Sequence, residues 1–198
     1  MLTKLEAVNI VLDSIGETPV SSLTSGLPDA ESAEAKLDEV TTEVLAKGWH
    51  QNTNYGVKAM RNYLNKIVIP SNYIRLDTVG EHKEINVTIR TDNNVRYLFN
   101  IKEQTYIFDK DLYVDVIIKL PFAELTPSMQ LYIARKAARS FQESAMGSAA
   151  LDSFTVRSEA EAYAALMDSE AEVEDNNILQ QSTHCHRATR RYNVLSGI

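Results

Sequence analysis

The chain has 198 residues, 44% of them hydrophobic and 24% charged, with a formal net charge of −7. Those proportions suit one globular domain or two small ones with a core of their own, and the negative balance argues against a chain whose main task is to coat nucleic acid without excluding contact with DNA. No apolar run reaches the ~18 residues of a membrane span, and a single cysteine, Cys185, excludes an intrachain disulfide framework and fits folding in a reducing cytoplasm.

Met1 to Glu6 carries helix-capping chemistry rather than the apolar run of a signal peptide. Thr3 and Glu6 have the spacing of a capping box, and Leu5, Val8, Leu12 and Ile15 recur at helical spacing behind it. Gly16 is placed to stop this helix in a left-handed conformation. After a stretch rich in Ser, Gly and Pro, a second helix is predicted, with Ala30, Ala33, Leu37, Val40 and Val44 on one stripe and Gly48 at its end.

From about Tyr55 to Leu120 the period falls to two, the mark of strands with one buried face. Ile85, Val87 and Ile89 alternate with polar residues, as do Leu112, Val114, Val116, Ile118 and Leu120 with Tyr113, Asp115, Ile117 and Lys119. Shorter strands are predicted at Tyr73–Leu76, Val95–Phe99 and Thr105–Phe108, with turns at Asp92-Asn93-Asn94 and Asp109-Lys110-Asp111. The pattern as a whole predicts an antiparallel meander.

Helix resumes at Thr126-Pro127, a cap followed by proline at the first helical position. Met129, Ile133, Ala137, Phe141 and Ala145 form its stripe, and Gly147 is read as its stop. A last helix is predicted from about Asp152 to Glu174, with Val156, Ala160, Tyr163 and Met167 as its inner face. The charge then changes abruptly. Ser158 to Asp175 holds seven acids and neither Lys nor Arg, whereas Asn176 to Ile198 holds Arg187, Arg190 and Arg191 and no acid. The reading is an α+β chain: a helical bundle from both ends (residues 1–54 with 122–175), an inserted antiparallel β lobe (55–121) and an extended C-terminal tail (176–198).

Chemistry is sparse. Phosphate-binding glycine loops, zinc-protease motifs and nucleophile elbows are all missing. Cys185 lies in the tail without a setting that would activate a thiol. His184-Cys185-His186 offers too few ligands for a structural zinc site within one chain, so a metal is expected only if subunits share it. Carboxylate pairs such as Asp109 with Asp111, or Glu81 with Glu84, keep open the alternative of an accessory glycan hydrolase. Trp49 with Tyr55, Tyr63 and Tyr73 could form a sugar or base platform, but a lone Trp at a helix end is more often core or interface.

Asn9-Ile10-Val11-Leu12, followed by Ser14-Ile15-Gly16-Glu17-Thr18-Pro19-Val20, resembles the opening motif of the tail tubular protein A family of T7-like podoviruses. Asp29-Ala30, Gly48-Trp49, the stretch Tyr132 to Phe141 after Pro127, and Asn176-Asn177-Ile178-Leu179 follow in the family's order. The central strands match in pattern only, and His184-Cys185-His186 belongs to no motif of the family. The resemblance implies a head-to-tail adaptor: a dodecameric ring in the virion, made in the host cytoplasm, around a bore that passes genomic DNA. The helical part would meet the portal, and the β part the tail nozzle (tail tubular protein B) and the tail fibre. It implies that the C-terminal segment reaches the portal, and Ile178, Leu179, Arg187, Arg190, Arg191 and Tyr192 are the portal-binding residues expected there. The expectation is thus a structural protein with neither enzymatic activity nor cofactor; a free cytoplasmic binding module is the third reading.

Overall fold

A computed structural model describes residues 1–145 and 149–181. The elements are α1 (Lys4–Asp13), α2 (Pro28–Leu45), β1 (Thr53–Ala59), β2 (Tyr73–Thr78), β3 (Val87–Asp92), β4 (Val95–Asn100), β5 (Leu112–Ile118), α3 (Pro127–Ala145) and α4 (Ala149–Gln181). The protein is mixed α+β, with its strands between two pairs of helices. No described helix is long and apolar enough to cross a membrane.

The capping box forms as its spacing requires: the Thr3 hydroxyl accepts the Glu6 amide, and the Glu6 carboxylate accepts the Thr3 amide. Behind α1, Gly16 takes φ +79°, and the Asn9 amide side chain pairs with the backbone of Val20 in both directions, at 2.8 and 3.0 Å. Asn9 and Val20 therefore stitch the loop back onto its own helix, which gives the opening motif a structural reason.

α1 packs on α2 and α3, and α3 on α4. One apolar core joins Val8, Val11 and Leu12 to Leu37 and Val44 and to Met129, Ile133, Ala137 and Leu166. Buried polar groups tie the early and late segments together. Gln130, fully buried, accepts the Leu2 amide and donates to the Phe122 carbonyl, and Ser14 donates to the Ala138 carbonyl. Burying an amide side chain is tolerable when both ends are bonded, as here.

The strands depart from the expected meander. They form a three-stranded antiparallel sheet in the order β1-β5-β2 and a separate β3-β4 hairpin. β5, the last strand in the chain, takes the middle because it buries residues on both faces: Val114 and Val116 in the β core, and Ile117 against Gly48. The hairpin closes on Asn93 (φ 47°) and Asn94 (φ 62°), two consecutive left-handed residues as a two-residue hairpin turn demands. A second apolar core holds Ile67, Leu76, Leu98, Phe108, Leu112 and Val114.

Two further expectations are corrected. Thr105–Phe108 forms no strand. It makes only single bridges, Asn100 to Thr105 and Lys66 to Ile107, because the Asn100 side chain accepts the amides of Lys102 and Glu103 and folds the chain into a tight turn. Among the described side chains of α4, Ala162 and Leu166 are buried, while Val156, Ala160, Tyr163 and Met167 are exposed. The packed stripe is thus turned away from the one with the larger side chains, and α3 buries Ala134, Ala137 and Ala138 beside its larger Met129, Tyr132, Ile133 and Phe141. α4 also runs on through the charge break to Gln181, since Asn176 to Gln181 holds no glycine or proline to end it. Gly147 lies outside the described residues.

Candidate functional site

The junction between the helical and β parts is built from four positions between Gly48 and Asn52. Gly48 (φ +78°) reverses the chain after α2 and lies so close to Ile117 that a Cβ there would sit 2.7 Å from the Ile117 Cδ1. Trp49 is buried, and its indole N–H donates to the Val44 carbonyl at 2.7 Å, so it belongs to the core and offers no stacking platform. Gln51 accepts the Thr126 amide at 3.0 Å. Asn52, fully buried, accepts the Trp49 amide and donates to the carbonyls of Leu45 and Ile118.

Exposed apolar side chains gather in two places. On α4, Val156, Tyr163 and Met167 face outward, and the Tyr163 ring rests 5.2 Å from that of Tyr132. On the β side, Met60, Tyr63, Leu64 and Ile107 are exposed, Tyr63 to 92%. The bridges Arg61–Ile67 and Lys66–Ile107 bring that turn and Ile107 together. Apolar groups of this size clustered in water mark surfaces that other proteins cover.

Several charges hold the fold. Lys4 bonds both Glu34 and Asp38; burial alone would lower its ammonium, but the two carboxylates outweigh that and hold it above its ordinary value. Lys136 behaves likewise with Glu43. Burial raises the neighbouring Tyr132 phenol. Asp111 is held low, first by the Arg61 backbone amide and then by Lys58, so it anchors the end of β1 rather than serving an acid-base pair with Asp109. Glu81 and Glu84 are both exposed. Neither pair lines the open groove of about 810 Å³ between β2 and β3, or the smaller one of about 120 Å³ where Asp13 and Ser14 meet Arg135 and Thr155. Among the described residues no three His, Cys, Asp or Glu side chains are grouped to hold a metal.

The family model for tail tubular proteins matches residues 5–176. The chain belongs to the tail tubular protein family. No curated protein matches it. As a tail tubular protein it is a structural component of a phage tail and assembles there with other tail proteins. Of the six residues expected to bind the portal, Ile178 and Leu179 fall in the last turns of α4. Arg187, Arg190, Arg191 and Tyr192, like His184-Cys185-His186, lie outside the described residues. All of these follow the matched segment. The sequence points to Tyr63 only as part of a platform with Trp49, and to the exposed residues of α4 only as its inner face. For α4 the signal was present, since its two stripes compete, but it was assigned to the wrong side.

Proposed function

We propose that this tail tubular protein is the head-to-tail adaptor: a ring subunit between portal and nozzle that helps form the channel for genomic DNA. The observation that carries the reading is the division into two apolar cores, one helical and drawn from both ends of the chain, one built of strands. A joint between two unlike neighbours needs two differently surfaced parts in each copy. Residues 1–54 with 122–175 would act as the portal-side unit and 55–121 as the nozzle- and fibre-side unit. The exposed apolar stripe of α4 would meet neighbouring copies in a dodecameric ring. The acids of α4, among them Glu161, Asp168 and Glu172, suit a wall that repels the phosphate backbone and lets DNA slide past.

The C-terminal segment from Ile178 and Leu179 to Arg187, Arg190, Arg191 and Tyr192 would then clasp the portal. Electron microscopy of the chain mixed with its portal tests both ideas. The expected result is a second ring beneath the portal, weakened when residues beyond Leu179 are deleted. An absent ring sinks the adaptor reading; equal attachment by the truncated chain sinks the role of the tail.

A further inference from the structure

The outward surface of α4 has two flanks of different chemistry. Helical spacing puts Glu161, Asp168 and Glu172 along one of them and Val156, Tyr163 and Met167 along the other, all exposed. Exposed Ala160, Ala164 and Ala171 form a track of small side chains between the flanks, on the side opposite buried Leu166. Asp168 has no ion pair among the described residues, and the pair that Glu161 makes with Arg157 is exposed at both ends. The sequence beyond Gln181 has the complementary character. It carries Arg187, Arg190 and Arg191 without an acid, and Tyr192, Val194, Leu195 and Ile198 close behind them.

We propose that in the free chain residues 182–198 fold back along this track, with the arginines beside the acids and Tyr192 and Leu195 over Tyr163 and Met167. The lengths permit it. A helix rises ~1.5 Å per residue and an extended segment spans ~3.3 Å. Arg187 can therefore reach back to about Asp168, and Arg190 to about Glu161. Tyr192 can reach past Tyr163, which leaves slack for the reversal after Gln181. Successive side chains of an extended segment point to opposite sides, so one run over the alanines serves both flanks. Exposed ion pairs contribute little singly. Tethering offsets that weakness, because a segment joined to α4 by a few residues meets it at about millimolar effective concentration. The face so covered is the one assigned above to neighbouring copies and to the DNA channel. The docking does not need the adaptor reading, but its use rests on it: portal draws the segment away, uncovers Tyr163 and Met167, and lets copies join on the portal rather than in solution.

The test uses the full chain without portal. Cys185 is the sole cysteine, so a nitroxide attached there reports where the segment lies. The label is expected to broaden the methyl resonance of Met167 and to spare that of Met60 on the β side. Labelled chain mixed with unlabelled, isotope-enriched chain should leave Met167 sharp. Arg187→Gln, Arg190→Gln and Arg191→Gln together should remove the broadening. The same variant should self-associate in sedimentation at concentrations where the parent is a monomer, since it leaves the apolar flank uncovered. The docking is overturned by a sharp Met167 in the labelled parent, by equal broadening in the triple variant, or by broadening in the mixed sample, which would assign the face to a second copy's segment. A parent that self-associates, or a variant that does not, overturns the shielding role. Portal enters none of these measurements, so their failure leaves the adaptor reading standing, and an absent ring on the portal leaves the docking standing.

Discussion

The Asn52 side-chain amide donates to the Ile118 carbonyl at 2.9 Å, joining residues 66 positions apart at the point where the helical and β parts meet. The same nitrogen serves the Leu45 carbonyl, and the Asn52 oxygen accepts the Trp49 amide. One side chain thus satisfies the end of α2, the exit of β5 and the turn between α2 and β1. Asn52→Ala would take the acceptor from the Trp49 amide and a donor from the Ile118 carbonyl, while the Leu45 carbonyl keeps the Gly48 amide. It is expected to destabilise the chain by about 2–4 kcal/mol in urea unfolding, in line with the cost of unsatisfied buried polar groups. A loss below ~0.5 kcal/mol, typical of surface positions, would show that the junction does not depend on Asn52.

Four residues earlier, Gly48 tests the same junction by shape. A methyl group there meets Ile117 at 2.7 Å on a backbone at φ +78°, two independent objections. Gly48→Ala is expected to cost more than the ~1 kcal/mol that the left-handed conformation alone asks of a side chain. The double variant with Ile117→Val should recover part of the excess, because the Cδ1 that clashes is removed. No recovery would assign the whole penalty to the backbone.

The two stripes of α4 can be separated by neighbouring substitutions. Leu166 is fully buried, and Met167 is 43% exposed. Leu166→Ala should lower stability by about 2–5 kcal/mol, as core truncations do. Met167→Ala should change it by no more than ~0.5 kcal/mol in the free chain. If Met167→Ala nevertheless reduces ring formation on the portal, the exposed stripe is an assembly contact.

Acid should undo the capping box. The Thr3 backbone bond, with help from its hydroxyl, holds the Glu6 carboxyl below its ordinary 4.5. A depressed carboxylate contributes stability that is present above the unfolded value and disappears as pH falls through the folded one. The chain should therefore lose stability below about pH 4.5, and the loss should be smaller in Glu6→Gln, read as the difference between thermal melts at neutral and acid pH. Identical acid sensitivity in both chains would exclude Glu6 as a contributor.

The helices were legible in the sequence because their signals are local. Thr3 with Glu6, Gly16, Pro127 and the stripe from Met129 to Phe141 all lie within a few turns of what they control, and each does what its spacing predicts. The Asn93-Asn94 turn was legible for the same reason. The strand order was not, since alternation tells which face of a strand is buried and says nothing about which neighbour covers its edge. Ile117 held a clue: an apolar residue on the polar phase of β5 marks a strand covered on both faces, which suits the middle of a sheet. On α4 the spacing allows two stripes, Val156-Ala160-Tyr163-Met167 and Ala162-Leu166, and the structure buries the second. Ala162 and Leu166 are buried, whereas Met167 is exposed and Tyr163 lies half-covered against Tyr132. The six residues expected to touch the portal rest on order along the chain alone, with no periodicity or cap to place their side chains. The β2–β3 groove has no sequence signature, because it comes from two edges that the topology leaves apart.

The central place of β5 also governs the order of events during synthesis. Until the ribosome has translated past Ile118, β1 and β2 have no strand between them, and only the β3-β4 hairpin can close on itself. The helical core waits longer still, since α1 and α2 bury their apolar stripes largely on α3. A nascent chain therefore carries two unfinished cores for most of its translation, and each closes on contacts distant in sequence, which slows folding. A chain that stops before Ile118 therefore completes neither its sheet nor its helical core.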